Sequence, residues 1–196
     1  MLMNKGKHTK QQILATALNI ATETSLNDLT IGGLAAAMNM SKSGVFAHFN
    51  SKENLQLAVL EHAHALFLQT VIAPIDKQSL PLSQLLRTCE LWQGWYQGKA
   101  CNCIFISAAV EFDDQLGAVR DLVKSLLQSW LSYLNKLVIQ AIEVKELSEQ
   151  TDAKQFTYEL YSLYLGSQHM RWVGFEDDTH TRFNLALSRL IQRYQG

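Results

Sequence analysis

Proline is nearly absent: Pro74 and Pro81 are the only two in 196 residues. Helices can therefore run long, and neither a polyproline segment nor a collagen-like repeat is available. Cysteine is scarce too, and the three present cannot all pair with one another. Cys101 and Cys103 stand too close for an ordinary bridge, so a disulfide scaffold is excluded and a reduced, cytosolic protein is expected. The polar, basic start from Met1 to Lys10 lacks the apolar stretch of a secretory signal. The longest apolar stretches are interrupted by charged or polar residues well short of a membrane span, so no membrane partner is expected. Charged residues make up only 18 %, against 47 % hydrophobic, which excludes a largely disordered chain.

The net charge of −1 conceals an uneven distribution. Residues 1–60 carry five lysines against three acids, and residues 61–196 carry twelve bases against fifteen acids, giving +2 and −3. That permits a basic head on an acidic body.

No alternating run is long enough for a strand, while period-3.6 patterns recur along the whole chain. The expected fold is all-α with about nine helices. The first runs from about Thr9, as N-cap, to Thr24, with Ile13, Leu14, Ala17, Leu18, Ile20 and Ala21 as its apolar face. Ser25 to Asp28 is a connector. Thr30 is the expected cap of a helix over Ile31–Met38, Asn39-Met40 a tight turn, and Ser41 the cap of a short helix over Lys42–Phe49. Asn50-Ser51 breaks the chain before a long helix reaching about Ile72. Further helices are expected near Leu82–Gln97, Ile104–Glu111, Gly117–Lys145, Asp152–Val173 and Asp178–Tyr194, with loops at Leu147–Thr151 and Gly174–Asp177.

Helix, tight turn and short second helix make a helix-turn-helix, whose second helix offers its N-terminal residues to the major groove. Here that tip reads Ser41-Lys42-Ser43-Gly44. Small side chains let amides and hydroxyls approach phosphate and base edges closely. The run from Leu29 to Leu55, preceded by Ile13-Leu14-Ala15-Thr16-Ala17, resembles the DNA-binding signature of the tetracycline-repressor (TetR/AcrR) family of bacterial regulators. The match covers about the first third of the chain; the rest agrees in length and helical pattern only.

The resemblance implies a helix-turn-helix head at 1–51 and a ligand-binding and dimerisation body at 52–196. Thr30, His48 and Lys52 match phosphate-contacting positions, and Ser41, Lys42, Ser43 and Gly44 match positions facing the groove. Phe46 stands where many members have Tyr, so a hydroxyl contact to phosphate is missing. Gly44 replaces the commoner Ala or Thr and gives up a methyl contact to thymine. Asn39 stands where Gly is usual, which a left-handed turn accepts. Lys42 and Lys52 could also be ordinary solvated lysines, and His48 an ordinary surface histidine. Phe46, counted among the DNA-face residues, and Phe49 read more naturally as packing anchors between helices.

The body is rich in aromatics at helical spacing, most of which an all-α domain needs as core. By family resemblance an effector pocket lies among the fourth to eighth helices. Its candidates are His62, Leu66, Trp92, Trp95, Phe105, Phe112, Trp130 and Tyr133, lining suited to a small, mostly apolar effector. Cys101-Asn102-Cys103 lacks a nearby His to complete a zinc set, and His62 and His64 fall on different helix faces. No metal and no cofactor is expected, and inert cysteines are a simpler reading than thiol sensors. Tyr161, Leu165, His169 and Trp172, and then Phe183, Leu187, Leu190 and Tyr194, form two stripes at spacings of three and four. Either stripe could bury in its own domain. By resemblance, both build the four-helix interface of a homodimer, which would read a double-stranded palindromic operator.

An enzyme is disfavoured, because no nucleophile-elbow, Walker, dinucleotide or zinc-protease motif occurs. Glu111, Asp113 and Asp114 read as a solvated helix end. The remaining alternative is a helical ligand- or partner-binding module without DNA affinity, against which the intact tip from Ser41 to Lys52 argues. The expectation is a cytoplasmic, ligand-responsive transcriptional regulator, acting as a repressor.

Overall fold

Local capping chemistry sets the helix order. The computed structural model describes residues 2–95, 103–175 and 178–195, with side chains from residue 8 onward. Among them are nine α-helices and no strand: α1 (Leu2–Glu23), α2 (Ile31–Ala37), α3 (Lys42–Phe49), α4 (Lys52–Phe67), α5 (Pro81–Gly94), α6 (Ile104–Glu111), α7 (Ala118–Glu143), α8 (Ala153–Trp172) and α9 (Thr179–Gln195). The described residues fall into two compact units, the first within 1–69 and 98–127, the second within 70–97 and 128–196.

In the first unit, Ile13, Ala17 and Ala21 recur every fourth residue and form the buried stripe of α1. α4 answers with Leu55, Val59, Leu60, Ala63 and Phe67, all buried. Each fully buried Leu or Val contributes roughly 1.5–3 kcal/mol. The stretch Lys52–Ile72 is long and apolar enough to cross a membrane by composition alone, but this inward stripe is that of a core helix. Two body residues hold the connector between α1 and α2. Gln56 Nε2, on α4, donates to the Leu26 carbonyl at 2.9 Å. The Glu111 carboxylate, on α6, accepts from Ser25 Oγ and from the Asn27 amide, both at 2.9 Å. Hydrogen bonds to a charged acceptor are the stronger kind. Glu111→Ala is therefore expected to cost about 1–2 kcal/mol in urea unfolding. An unchanged midpoint would show that the connector does not depend on the Glu111 carboxylate.

In the second unit, Pro81 opens α5 at a position where its missing N–H costs nothing, and Glu146 Oε2 accepts from the Leu82 amide at 2.8 Å. α8 and α9 pack as an antiparallel pair. Arg171 at the end of α8 meets Thr179 at the start of α9, and Tyr194 near the far end of α9 returns to Glu159 and Phe156. Asp152 caps α8 through the amides of Lys154 and Gln155. Asp178 accepts from the Thr181 side chain and amide, and those two bonds hold its carboxyl below the usual range.

One expected boundary shifts. Thr9 is not an N-cap: α1 starts at Leu2, because no proline interrupts 2–8 and the segment continues the helix. The helix expected to reach about Ile72 does so, α-helical to Phe67 and then widened into a π-helical turn over Leu68–Ile72. Pro74 explains the stop, since it has no N–H to donate and disfavours a helical Ala73. The expected extension of α5 to Gln97, and Cys101 and Asn102, lie outside the described residues.

Candidate nucleic-acid interface

Three hydroxyl caps fix the backbone of the head. Thr30 Oγ1 accepts from the Gly33 amide at 3.0 Å, Ser41 Oγ from Gly44 at 3.1 Å and Ser51 Oγ from Asn54 at 3.0 Å. Each therefore starts its helix as expected. The turn between α2 and α3 is a Schellman closure: the Met40 amide donates to Ala35 O at 2.9 Å and the Asn39 amide to Ala36 O at 3.2 Å. Asn39 sits at φ 52°, in the left-handed conformation expected of it, and Asn50 ends α3 the same way at φ 64°.

Val45 and Phe49, one turn apart, point into the core of the first unit. The opposite face is open: Ser41, Lys42, Ser43, Phe46 and Ala47 are exposed, Gly44 and His48 half-buried, and Lys52 exposed at the start of α4. Phe46 corrects the packing expectation. It is 48 % exposed, because the inward face of so short a helix is filled by Val45 and Phe49. Phe49 is a packing anchor, as expected. The cap hydroxyls accept from amides and keep their own protons for an outside acceptor. Ser41 Oγ and Ser43 Oγ share a hydrogen bond at 3.3 Å, which holds the pair together and leaves one hydroxyl proton to point outward. The amide dipoles at this helix start also favour an anion.

Gly44 has a local reason as well. A Cβ there would meet Ser41 Oγ at 3.0 Å and press on the cap. Lys10, absent from the expected site residues, reaches over the Phe49 ring with its ammonium 5.7 Å from the centroid. Its only signal was its place among the five lysines of the first sixty residues.

The effector candidates divide between the units. His62, Leu66, Phe105 and Phe112 belong to the first; Trp92, Trp95, Trp130 and Tyr133 to the second. In the first, Phe105 packs edge-on to Phe67 at 6.1 Å, and burial pushes the pKa values of His62 and His64 down, favouring neutral imidazole. In the second, Trp92 is buried, stacked on Tyr164 at 3.6 Å and edge-on to Trp130 at 4.9 Å, while Trp130 stacks with Tyr133 at 5.6 Å. Trp92 is thus already packed within its own unit. Cys89 and Cys103 are buried, and burial pushes the Cys89 thiol up to about 12, so that thiol is inert. Among the described residues no His, Cys, Asp or Glu cluster could hold a metal ion.

The two association stripes need correction. Phe183, Leu187 and Leu190 are buried in the second unit, because the apolar side of α9 is what packs against its own core. Tyr194 donates to Glu159 Oε1 at 3.0 Å and leans on Phe156, and Tyr161 lies parallel to Trp92 at 6.1 Å. Leu165, His169 and Trp172 do face outward, Trp172 at 70 % exposure. Tyr158, Phe175 and Leu185 join them in exposing large apolar surface, and the stripe pattern had passed them over.

Residues 13–59 match the family model described as bacterial regulatory proteins, tetR family, and residues 81–187 that of a tetracyclin repressor-like C-terminal domain. A TetR-family transcriptional regulator of Streptomyces coelicolor superposes with a TM-score of 0.82 at 18 % identity, over 95 % of this chain and 96 % of that one. A Saccharomonospora viridis protein in complex with choline gives 0.78 at 17 %, over 95 % and 96 %. AibR, in complex with isovaleryl coenzyme A and operator DNA, gives 0.66 at 19 %, over 93 % and 96 %. No match is found among curated proteins. At these identities the structural likeness concerns the fold.

Proposed function

This chain belongs to the TetR family of bacterial transcriptional regulators, and from that premise we propose that it is a homodimeric repressor released from a palindromic operator by a small effector. The observation that carries the reading is the open face of α3, with Ser41, Lys42 and Ser43 exposed at a capped helix start and Lys52 at the next. Ser43, Gly44 and Phe46 are the base-reading positions, Phe46 through apolar contact with a thymine methyl or sugar. Thr30, Ser41, Lys42, His48 and Lys52 are the phosphate contacts. The head would be residues 1–51 and the sensing and dimerising body 52–196. Such a regulator works beside the chromosome, which places it in the cytoplasm. AibR, with both an acyl-coenzyme A and operator DNA bound, supports the reading that one such fold serves both ligands.

Release follows from differential affinity: an effector that prefers the arrangement unsuited to DNA weakens operator binding by the ratio of its affinities for the two states. The test is a gel shift on selected duplexes across a salt series. Lys52→Ala is expected to weaken every sequence alike and to flatten the log–log salt slope by about 2, one phosphate lost per protomer. Changes at Ser43 or Gly44 should alter base preference instead. Binding that ignores salt, or an unchanged slope in the Lys52 variant, would remove the phosphate assignment.

A further inference from the structure

Within the second unit, a cavity of about 340 Å³ opens where the π-helical turn ends at Ile72. Its wall combines two chemistries. Ile72, Ile75 and Leu137 supply an apolar side, on which Ile75 and Leu137 are themselves buried. Lys77, Lys136, Tyr133 and Gln140 supply a polar side, and no carboxylate lines the space. The two ammonium groups are uncompensated: neither lysine makes an ion pair among the described residues. Asp76, beside Lys77 in the chain, accepts from the Gln78 amide at 2.9 Å. Gln84 Nε2 donates to the Ser79 carbonyl at 2.7 Å and fastens the turn that carries Lys77. The cavity of the first unit differs, because Glu53 shares its wall with Lys52 and Arg120.

We propose that this cavity binds a small anionic amphiphile. Its carboxylate or phosphate head would meet Lys77 and Lys136, and its short apolar tail would lie on Ile72, Ile75 and Leu137. Charge-assisted hydrogen bonds make an anionic head the complement of two lysines. Small-molecule sites run from roughly 300 to 1,000 Å³, so a cavity of this size takes a short chain and not a whole coenzyme. Of the sequence-derived effector candidates only Tyr133 lines it, with its hydroxyl 3.5 Å from Thr88 Oγ1. π-Helical turns occur often at functional sites, and Ile72 belongs both to the turn and to the wall, so an occupant packed on Ile72 would favour one register of the turn. The ligand class deepens the effector reading and rests on it only for the consequence for DNA.

The test titrates the full chain with octanoate and with octyl phosphate, using octyltrimethylammonium and octanol as controls. Calorimetry and tryptophan emission are read together, since Trp130 stacks on Tyr133. Saturable binding of an anion is expected, weakened about tenfold or more in the K77Q/K136Q double variant, with no binding of the cation. The octanoate and octyl phosphate arms decide between a fatty-acid-like and a phosphate-ester ligand. Undiminished binding in the double variant, equal binding of the cation, or no binding of either anion would overturn the proposal. A parallel gel shift separates this from the regulatory reading. Anion binding that leaves DNA retention unchanged removes the effector role, and salt-sensitive DNA retention without anion binding removes the ligand class alone.

Discussion

Replacing Trp92 by alanine is expected to lower the free energy of unfolding by about 3–5 kcal/mol, a large part of what a domain of this size has. Trp92 is buried and lies against Tyr164, Trp130 and Tyr161. Removing the indole leaves a void bounded by three large rings, which cannot all close on it without leaving their rotamers. The lost transfer free energy and the cavity therefore add. Trp92→Phe keeps an aromatic face against Tyr164 and should lose markedly less. Urea unfolding followed by circular dichroism measures both. A loss below about 1 kcal/mol for the alanine variant would show that the stack is not core and would return Trp92 to the effector lining.

Trp92 also marks the limit of what can be read along the chain. The caps at Thr30, Ser41 and Ser51 were legible, because donor and acceptor lie three residues apart and each hydroxyl answers an amide left over by its own helix. The left-handed Asn39 was legible for the same reason. Phe46 was not: an apolar residue on a short helix belongs to whichever face its neighbours leave open, and Val45 and Phe49 took the inner one. The α9 stripe shows the same ambiguity, since periodicity gives an apolar face without saying what covers it. Phe183, Leu187 and Leu190 are covered by their own unit. The tethers of the α1–α2 connector were beyond reach, because Gln56 and Glu111 lie 30 and 84 residues from Leu26 and Asn27. Nothing local to Glu111 distinguishes it from a solvated helix end.

Exchanging both Leu165 and Leu185 for glutamate is expected to split the proposed dimer into monomers of 22.1 kDa and to weaken operator binding about 100- to 10,000-fold. Both leucines are exposed in the single chain, on the paired helices α8 and α9, as is Trp172, whose ring stacks with His169 at 5.7 Å. Apolar surface of this kind on adjoining helices is what a two-fold association would cover. In the variant that association would have to bury four carboxylates, two from each copy, and strip them of water. The lone chain should tolerate the change, because exposed positions contribute little to its packing. Loss of one partner leaves a single recognition helix per molecule, where the pair would reach two half-sites about 34 Å apart and gain from their linkage. Light scattering during size exclusion reads the mass, circular dichroism the fold, and a gel shift the affinity. A variant that stays dimeric moves the interface elsewhere on the molecule; a folded monomer that retains wild-type affinity removes the need for a pair.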